Sequence, residues 1–183
     1  MVVKIGILPV GNVEIKSLVP IEEGLPKVFP KTTTLIVGNL PLPEKSFDKN
    51  RRQYRSNQIL ASIQSCDPQK EVDRILGVVD VDIFIPDLNF VFGEATFPGK
   101  AALISLWRLK PEFSGEPANV KLLAERSVKE AIHEVGHTLG LKHCTRSSCV
   151  MFFSNSIFDT DRKQRLFCDE CYLQAAIAID CLK

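Results

Sequence analysis

The sequence places its only three histidines, His133, His137 and His143, within eleven consecutive residues, so any imidazole chemistry is confined to one short segment. His133-Glu134-Val135-Gly136-His137 is the H-E-x-x-H pattern, and it lies inside Asn119 to Leu139, where Val128, Ile132, Val135 and Leu139 recur at helical spacing. Side chains four apart on a helix stand one turn above each other, so both imidazoles can face a single cation. Glu134 is offset around the helix and can reach a water held by that cation, the position a general base requires. A third histidine six residues beyond His137 would diverge from the pair if the helix continued. Gly140 removes that difficulty: lacking a Cβ, it can turn left-handed, end the helix and return His143 to the site. Three neutral imidazoles leave one position of a tetrahedral zinc open, which marks a catalytic centre rather than a structural one.

The cysteines form a second constellation. Cys144 follows His143 directly, Cys149 comes five residues later, and Cys168-Asp-Glu-Cys171 supplies a C-x-x-C knuckle. Two such pairs separated by a short excursion match a closed four-cysteine zinc site with a structural role. A redox pair or disulfides are the alternatives. Against them stand the spacing of Cys144 and Cys149, which is not that of a thioredoxin-like turn, and the absence of a signal-peptide layout at Met1 to Val10. Cys66 and Cys181 have no partners in this scheme and are expected to be buried thiols. Because adjacent Cα atoms are about 3.8 Å apart, the metals held by His143 and Cys144 should lie within about 14 Å of each other.

The rest of the chain supplies the setting. With 183 residues, it is long enough to bury a sizeable core, and with neither repeats nor low-complexity tracts, residues 1–183 are expected to form a single domain. Val2–Val10, Thr32–Leu40, Arg74–Ile85, Asn89–Ala95 and Lys100–Leu109 read as strands. Val13–Phe29, interrupted near Pro20, Asn50–Gln64, Asn119–Leu139 and Asp169–Cys181 read as helices. Helices and strands alternate early, then strands cluster before a helical C-terminal half, which predicts an α/β fold with a mixed sheet. Lys49, Arg51, Arg52 and Arg55 are expected on a solvated helix face, and a net charge of +1 argues against a nucleic-acid partner. No apolar run approaches the roughly 20 residues of a membrane span, so the expected protein is soluble, cytoplasmic and without a membrane partner.

The combined run, H-E-x-x-H-x-x-G-x-x-H-C-x4-C-x-M followed by C-x-x-C, resembles the archaemetzincins, a family of metzincin zinc metallopeptidases, over Glu130 to Cys171. The resemblance implies a metzincin-like domain: a twisted mixed β-sheet with an antiparallel edge strand, packed by helices that include a long active-site helix. It implies two Zn2+ ions per chain, a catalytic one on His133, His137 and His143 and a structural one on Cys144, Cys149, Cys168 and Cys171. Glu134 would be the base that activates water for peptide hydrolysis, and Met151 would form the methionine turn beneath the catalytic metal. The strand near Asn89 to Glu94 would hold an extended peptide or protein substrate by backbone pairing. A monomer is expected. The rival reading is a zinc-stabilised, non-catalytic peptide-binding module, against which the intact Glu134 weighs.

Overall fold

The computed structural model describes residues 2–182. Strand β1 (Val3–Pro9) leads through the short helix α1 (Val19–Gly24) to β2 (Thr32–Ile36), and the strands β3 (Phe47–Asp48) and β4 (Gln53–Arg55) precede helix α2 (Ser56–Ser65). Strands β5 (Arg74–Val79), β6 (Ile83–Phe84), β7 (Gly93–Ala95) and β8 (Ala101–Ser105) follow. Helices α3 (Val120–Thr138), α4 (Ile157–Arg162) and α5 (Asp169–Asp180) complete the order.

The main sheet runs β2-β1-β5-β8-β7, with four parallel strands and β7 antiparallel to β8 at the edge. Parallel strands covered on both faces read as continuous apolar runs, and the register of β5 and β8 shows how that run is divided. Leu76, Val78, Ala102 and Ile104 pack with Ala131, Ile132 and Val135 of α3. Ile75, Val79, Ala101 and Leu103 pack with Ile59, Leu60 and Ile63 of α2. The sheet therefore separates two cores, with α3 on one face and α2 on the other. No helix among the described residues is long and apolar enough to cross a membrane.

Several local expectations differ from the structure. Asn50–Gln64 is helical only from Ser56, because Gln53–Arg55 pairs with Ile83–Phe84 and with Phe47–Asp48 in a small second sheet. Arg74–Ile85 divides at residues 80–82, and its second part joins that small sheet. The basic group consequently does not form one solvated helix face. Arg51 lies 3.9 Å over the Phe84 ring and donates from Nη2 to the carbonyls of Leu88 and Asn89, both at 2.9 Å, while Arg55 pairs with Asp48. Arg51 thereby braces the segment that leads into β7. Of the two unassigned thiols, Cys66 is half-buried and Cys181 is exposed at the end of α5.

Candidate metal centre and active-site cleft

Helix α3 begins where Asn119, extended at φ −139°, accepts a hydrogen bond from Leu122 N–H through its side chain. It ends at Gly140. There φ is +88°, Gly140 N–H donates to His137 O at 2.9 Å, and Leu141 N–H donates to Gly136 O at 3.1 Å, the paired bonds of a Schellman turn. That turn places the Leu141 carbonyl 2.7 Å from His137 Nδ1, so the residues that end the helix also orient a histidine within it.

His133 is fixed in the same way, with Nδ1 2.9 Å from the Val150 carbonyl. A carbonyl oxygen can only accept, so Nδ1 carries the proton in both rings and both Nε2 atoms present lone pairs. Those two Nε2 atoms lie 3.0 Å apart. Two acceptors facing at this distance repel unless they share a cation, and a tetrahedral zinc with N ligands near 2.0–2.1 Å sets an edge of about 3.3 Å. His143 joins them, its ring centroid 5.3 Å from that of His133 and 4.8 Å from that of His137. The nitrogen donor atoms of all three come within 4.8 Å of one another. The donor set thus fits zinc. Burial holds the imidazoles uncharged: His133 is shifted well below the ordinary histidine range by desolvation and by the nearby Lys163 charge, and His137 is lowered to about 4, chiefly by desolvation.

Glu134 lies one residue from His133 and is buried against β7, where a Cβ on Gly93 would stand 2.6 Å from its Cγ. Its carboxyl is raised well above the ordinary range, first by desolvation and then by the negative charges of Glu130 and Glu94, with Lys163 opposing. Met151 is fully buried beneath the helix, and a Cβ on Gly136 would come within 2.7 Å of its Sδ.

Cys144, Cys149, Cys168 and Cys171 bring their Sγ atoms within 4.8 Å of one another, and Cys144 Sγ is 3.9 Å from Cys168 Sγ. A disulfide requires about 2.05 Å, whereas two thiolates on one tetrahedral zinc stand about 3.8 Å apart. Backbone amides already serve the sulfurs: Arg146 N–H donates to Cys144 Sγ at 3.4 Å and Cys168 N–H to Cys149 Sγ at 3.3 Å. Burial raises the Cys168 thiol, but hydrogen bonds from Cys171 and the neighbouring sulfurs outweigh it and bring the group down to about 7. The two clusters are joined through the chain, since Cys144 N–H donates to Met151 O at 2.9 Å while its neighbour is His143.

Several residues at the site lie outside the motifs read from the sequence. Glu130 stands one helical turn before Glu134, and that spacing is the available signal. It accepts a hydrogen bond from Thr160 Oγ1 at 2.9 Å and is ion-paired with the fully buried Lys163 Nζ at 3.0 Å. Lys163 has no local signal, lying outside any periodic segment. Nearby, Arg126 pairs with Asp161, and Lys129 Nζ donates to the carbonyls of Thr160 and Asp161, so α4 is held on α3 by polar contacts. The histidines open into a cleft of ≈ 350 Å³ between β7 and the segment after Met151. Phe153 packs on His143 and Phe97 on His137.

The chain matches the model of peptidase family M54 over residues 22–176. It is 44% identical to the archaemetzincin of Methanocaldococcus jannaschii over 171 residues, 93% of this chain and 92% of that protein. Among solved structures, the archaemetzincin of Methanopyrus kandleri superposes with a TM-score of 0.85 at 32% identity, over 98% of this chain and 96% of the other. The archaemetzincin of Archaeoglobus fulgidus, solved with malonate, superposes with a TM-score of 0.80 at 40% identity, over 93% and 99%.

Proposed function

Since this chain belongs to peptidase family M54 and is a zinc-dependent metallopeptidase acting on peptides or proteins, we propose that His133, His137 and His143 hold the catalytic zinc and that Glu134 is the catalytic base. One observation carries the assignment: the Nε2 atoms of His133 and His137 converge to 3.0 Å while each ring spends its Nδ1 proton on a backbone carbonyl. A zinc there supplies a Lewis acid that polarises the scissile carbonyl and makes water acidic. Everything else is done by the chain. Glu134 accepts the proton of the attacking water and returns it to the leaving amine, and a carboxyl whose proton affinity is raised by burial suits both transfers. The outer side of edge strand β7 offers backbone donors and acceptors to an extended substrate lying across the cleft.

Cys144, Cys149, Cys168 and Cys171 are proposed to hold the structural zinc, and Met151 to floor the histidine site. That second metal fixes the loop carrying His143. The proposed working form is a cytoplasmic monomer of one domain over residues 1–183, with no nucleic-acid or membrane partner; its balanced charge weighs against a nucleic-acid partner.

The test is Glu134→Gln. It should retain two zincs per chain and lose peptide cleavage by about 10²–10⁴-fold, with the wild-type activity abolished by a chelator. Cleavage at the wild-type rate by the zinc-loaded variant would remove Glu134 from the mechanism.

A further inference from the structure

The cleft is lined by three glutamates, Glu94, Glu130 and Glu134, and by no lysine or arginine among the described residues. Their situations differ. Glu130 is compensated from behind by Lys163 and Thr160. Glu134 is assigned to proton transfer. Glu94 has neither role: it sits on the edge strand β7, one residue from the Gly93 that touches Glu134, and its Oε2 is buried with no hydrogen-bond partner. Much of the remaining lining is apolar, including Leu88, Phe90, Val91 and Phe153. A carboxylate oxygen left without a donor in such surroundings is unfavourable, and the low local polarity strengthens its attraction for any cation that reaches it.

We propose that Glu94 makes the cleft selective for peptides carrying a positively charged group within two residues of the bond cut, and that this group docks on the Glu94 carboxylate. The inference rests on the peptidase reading given above and names the substrate class that reading leaves open. Geometry gives the reach. A peptide pairing with β7 would place its side chains beside those of the strand, where directly opposed Cβ atoms are about 4.5–5.5 Å apart. A lysine or arginine side chain, or the free α-ammonium of a short peptide, supplies the same chemistry. An acidic side chain at that position would face the Glu94 carboxylate, on the face of β7 turned away from Glu134. The selectivity is local, because the whole chain carries a formal charge of only +1.

The experiment uses internally quenched peptides in which Lys, norleucine or Glu is scanned through the two positions on each side of the cleavable bond, each with a free and with an acetylated N-terminus. With the zinc-loaded wild type, kcat/KM should favour Lys over Glu by about tenfold or more at one of these positions, and Glu94→Gln should bring that ratio to within about twofold. Preference independent of acetylation identifies a basic side chain as the docked cation. Preference for a free N-terminus, whatever the scanned side chain, identifies the α-ammonium. Equal rates for all charges, or a preference untouched by Glu94→Gln, would overturn the proposal.

Calorimetric binding of the same peptides to zinc-loaded Glu134→Gln, with and without Glu94→Gln, separates this proposal from the one beneath it. Charge-dependent affinity that vanishes with Glu94→Gln, in a protein whose wild type cleaves nothing, would keep the docking role and discard the peptidase reading. Cleavage without charge discrimination would do the reverse.

Discussion

Gly93 and Glu134 meet backbone to side chain: a Cβ on Gly93 would stand 2.6 Å from Glu134 Cγ and 2.7 Å from its Oε1. The edge strand proposed to pair with substrate is therefore also the wall against which the proposed base, Glu134, is packed. Gly93→Ala should displace the Glu134 carboxylate and lower kcat by about 10²-fold, since a displacement near 1 Å at a catalytic group costs that much. Zinc content should stay at the wild-type level, because the added methyl meets Glu134 and Leu103 rather than a histidine. The same Cβ would lie 2.6 Å from Leu103 O, so the thermal midpoint must be measured beside kcat and zinc. A folded, zinc-replete variant with normal kcat would show that β7 does not set the base.

The link between His143 and Cys144 gives a second expectation. Cys144 N–H donates to Met151 O, and Cys144 Sγ lies 3.9 Å from Cys168 Sγ, so the sulfur cluster closes the loop that carries both the third histidine and the methionine. Cys168→Ser should abolish the structural zinc and also lower occupancy of the histidine site, taking total zinc from two per chain to below one. Retention of one zinc per chain by elemental analysis, held by the histidine site, would sink the coupling, and two zincs would remove Cys168 from the ligand set.

The convergence of His133, His137 and His143 is legible in the sequence because helical spacing and a turn glycine determine where they point with little help from the rest of the fold. Gly140 illustrates this: an absent Cβ predicts the left-handed turn, and φ is +88° there. Strands buried on both faces are legible for a similar reason, as apolar runs bounded by prolines and glycines. The short strands Phe47–Asp48, Gln53–Arg55 and Ile83–Phe84 are not, since two or three residues have no period and become strands only through pairing. Helix Ile157–Arg162 carries no apolar stripe to announce it, because its docking on α3 is polar, through Asp161 and Thr160. Gly93 and Lys163 matter through contacts made by residues about 40 and 30 positions away in sequence, which no local pattern reports.

Lys163 and Glu130 form an ion pair 3.0 Å long with both side chains essentially inaccessible. Removing one partner leaves the other charge buried and uncompensated, so Lys163→Met should destabilise the protein by about 3–5 kcal/mol. Adding Glu130→Gln removes that stranded charge, and Thr160 Oγ1 can still donate to the amide oxygen. The double variant should be more stable than Lys163→Met alone, with a coupling of about 0.5–3 kcal/mol in chemical denaturation. Simple additivity of the two losses would show that the pair does not act as a unit.

The buried imidazoles make the chelated protein sensitive to acid. His137 has its proton affinity lowered mainly by desolvation, to a pKa of about 4 against 6.5 for the ordinary side chain, and His133 is shifted in the same direction, again chiefly by desolvation. Between these values the unfolded chain binds protons that the folded chain does not, so stability present above pH 6.5 is lost as pH falls towards about 4. His137 alone accounts for roughly 3 kcal/mol at about 1.36 kcal/mol per pKa unit. Glu134 has the opposite sign: raised by desolvation, it keeps a proton in the folded state that the unfolded chain releases above pH 4.5, which favours folding at the acid end. Three histidines shifted downwards, His143 included, outnumber this one carboxyl. Chelated protein should therefore melt at a lower temperature at about pH 5 than at about pH 7, measured by calorimetry at constant ionic strength. A midpoint that is equal or higher at the acid pH would mean that the histidines' loss does not exceed the opposing contribution of Glu134.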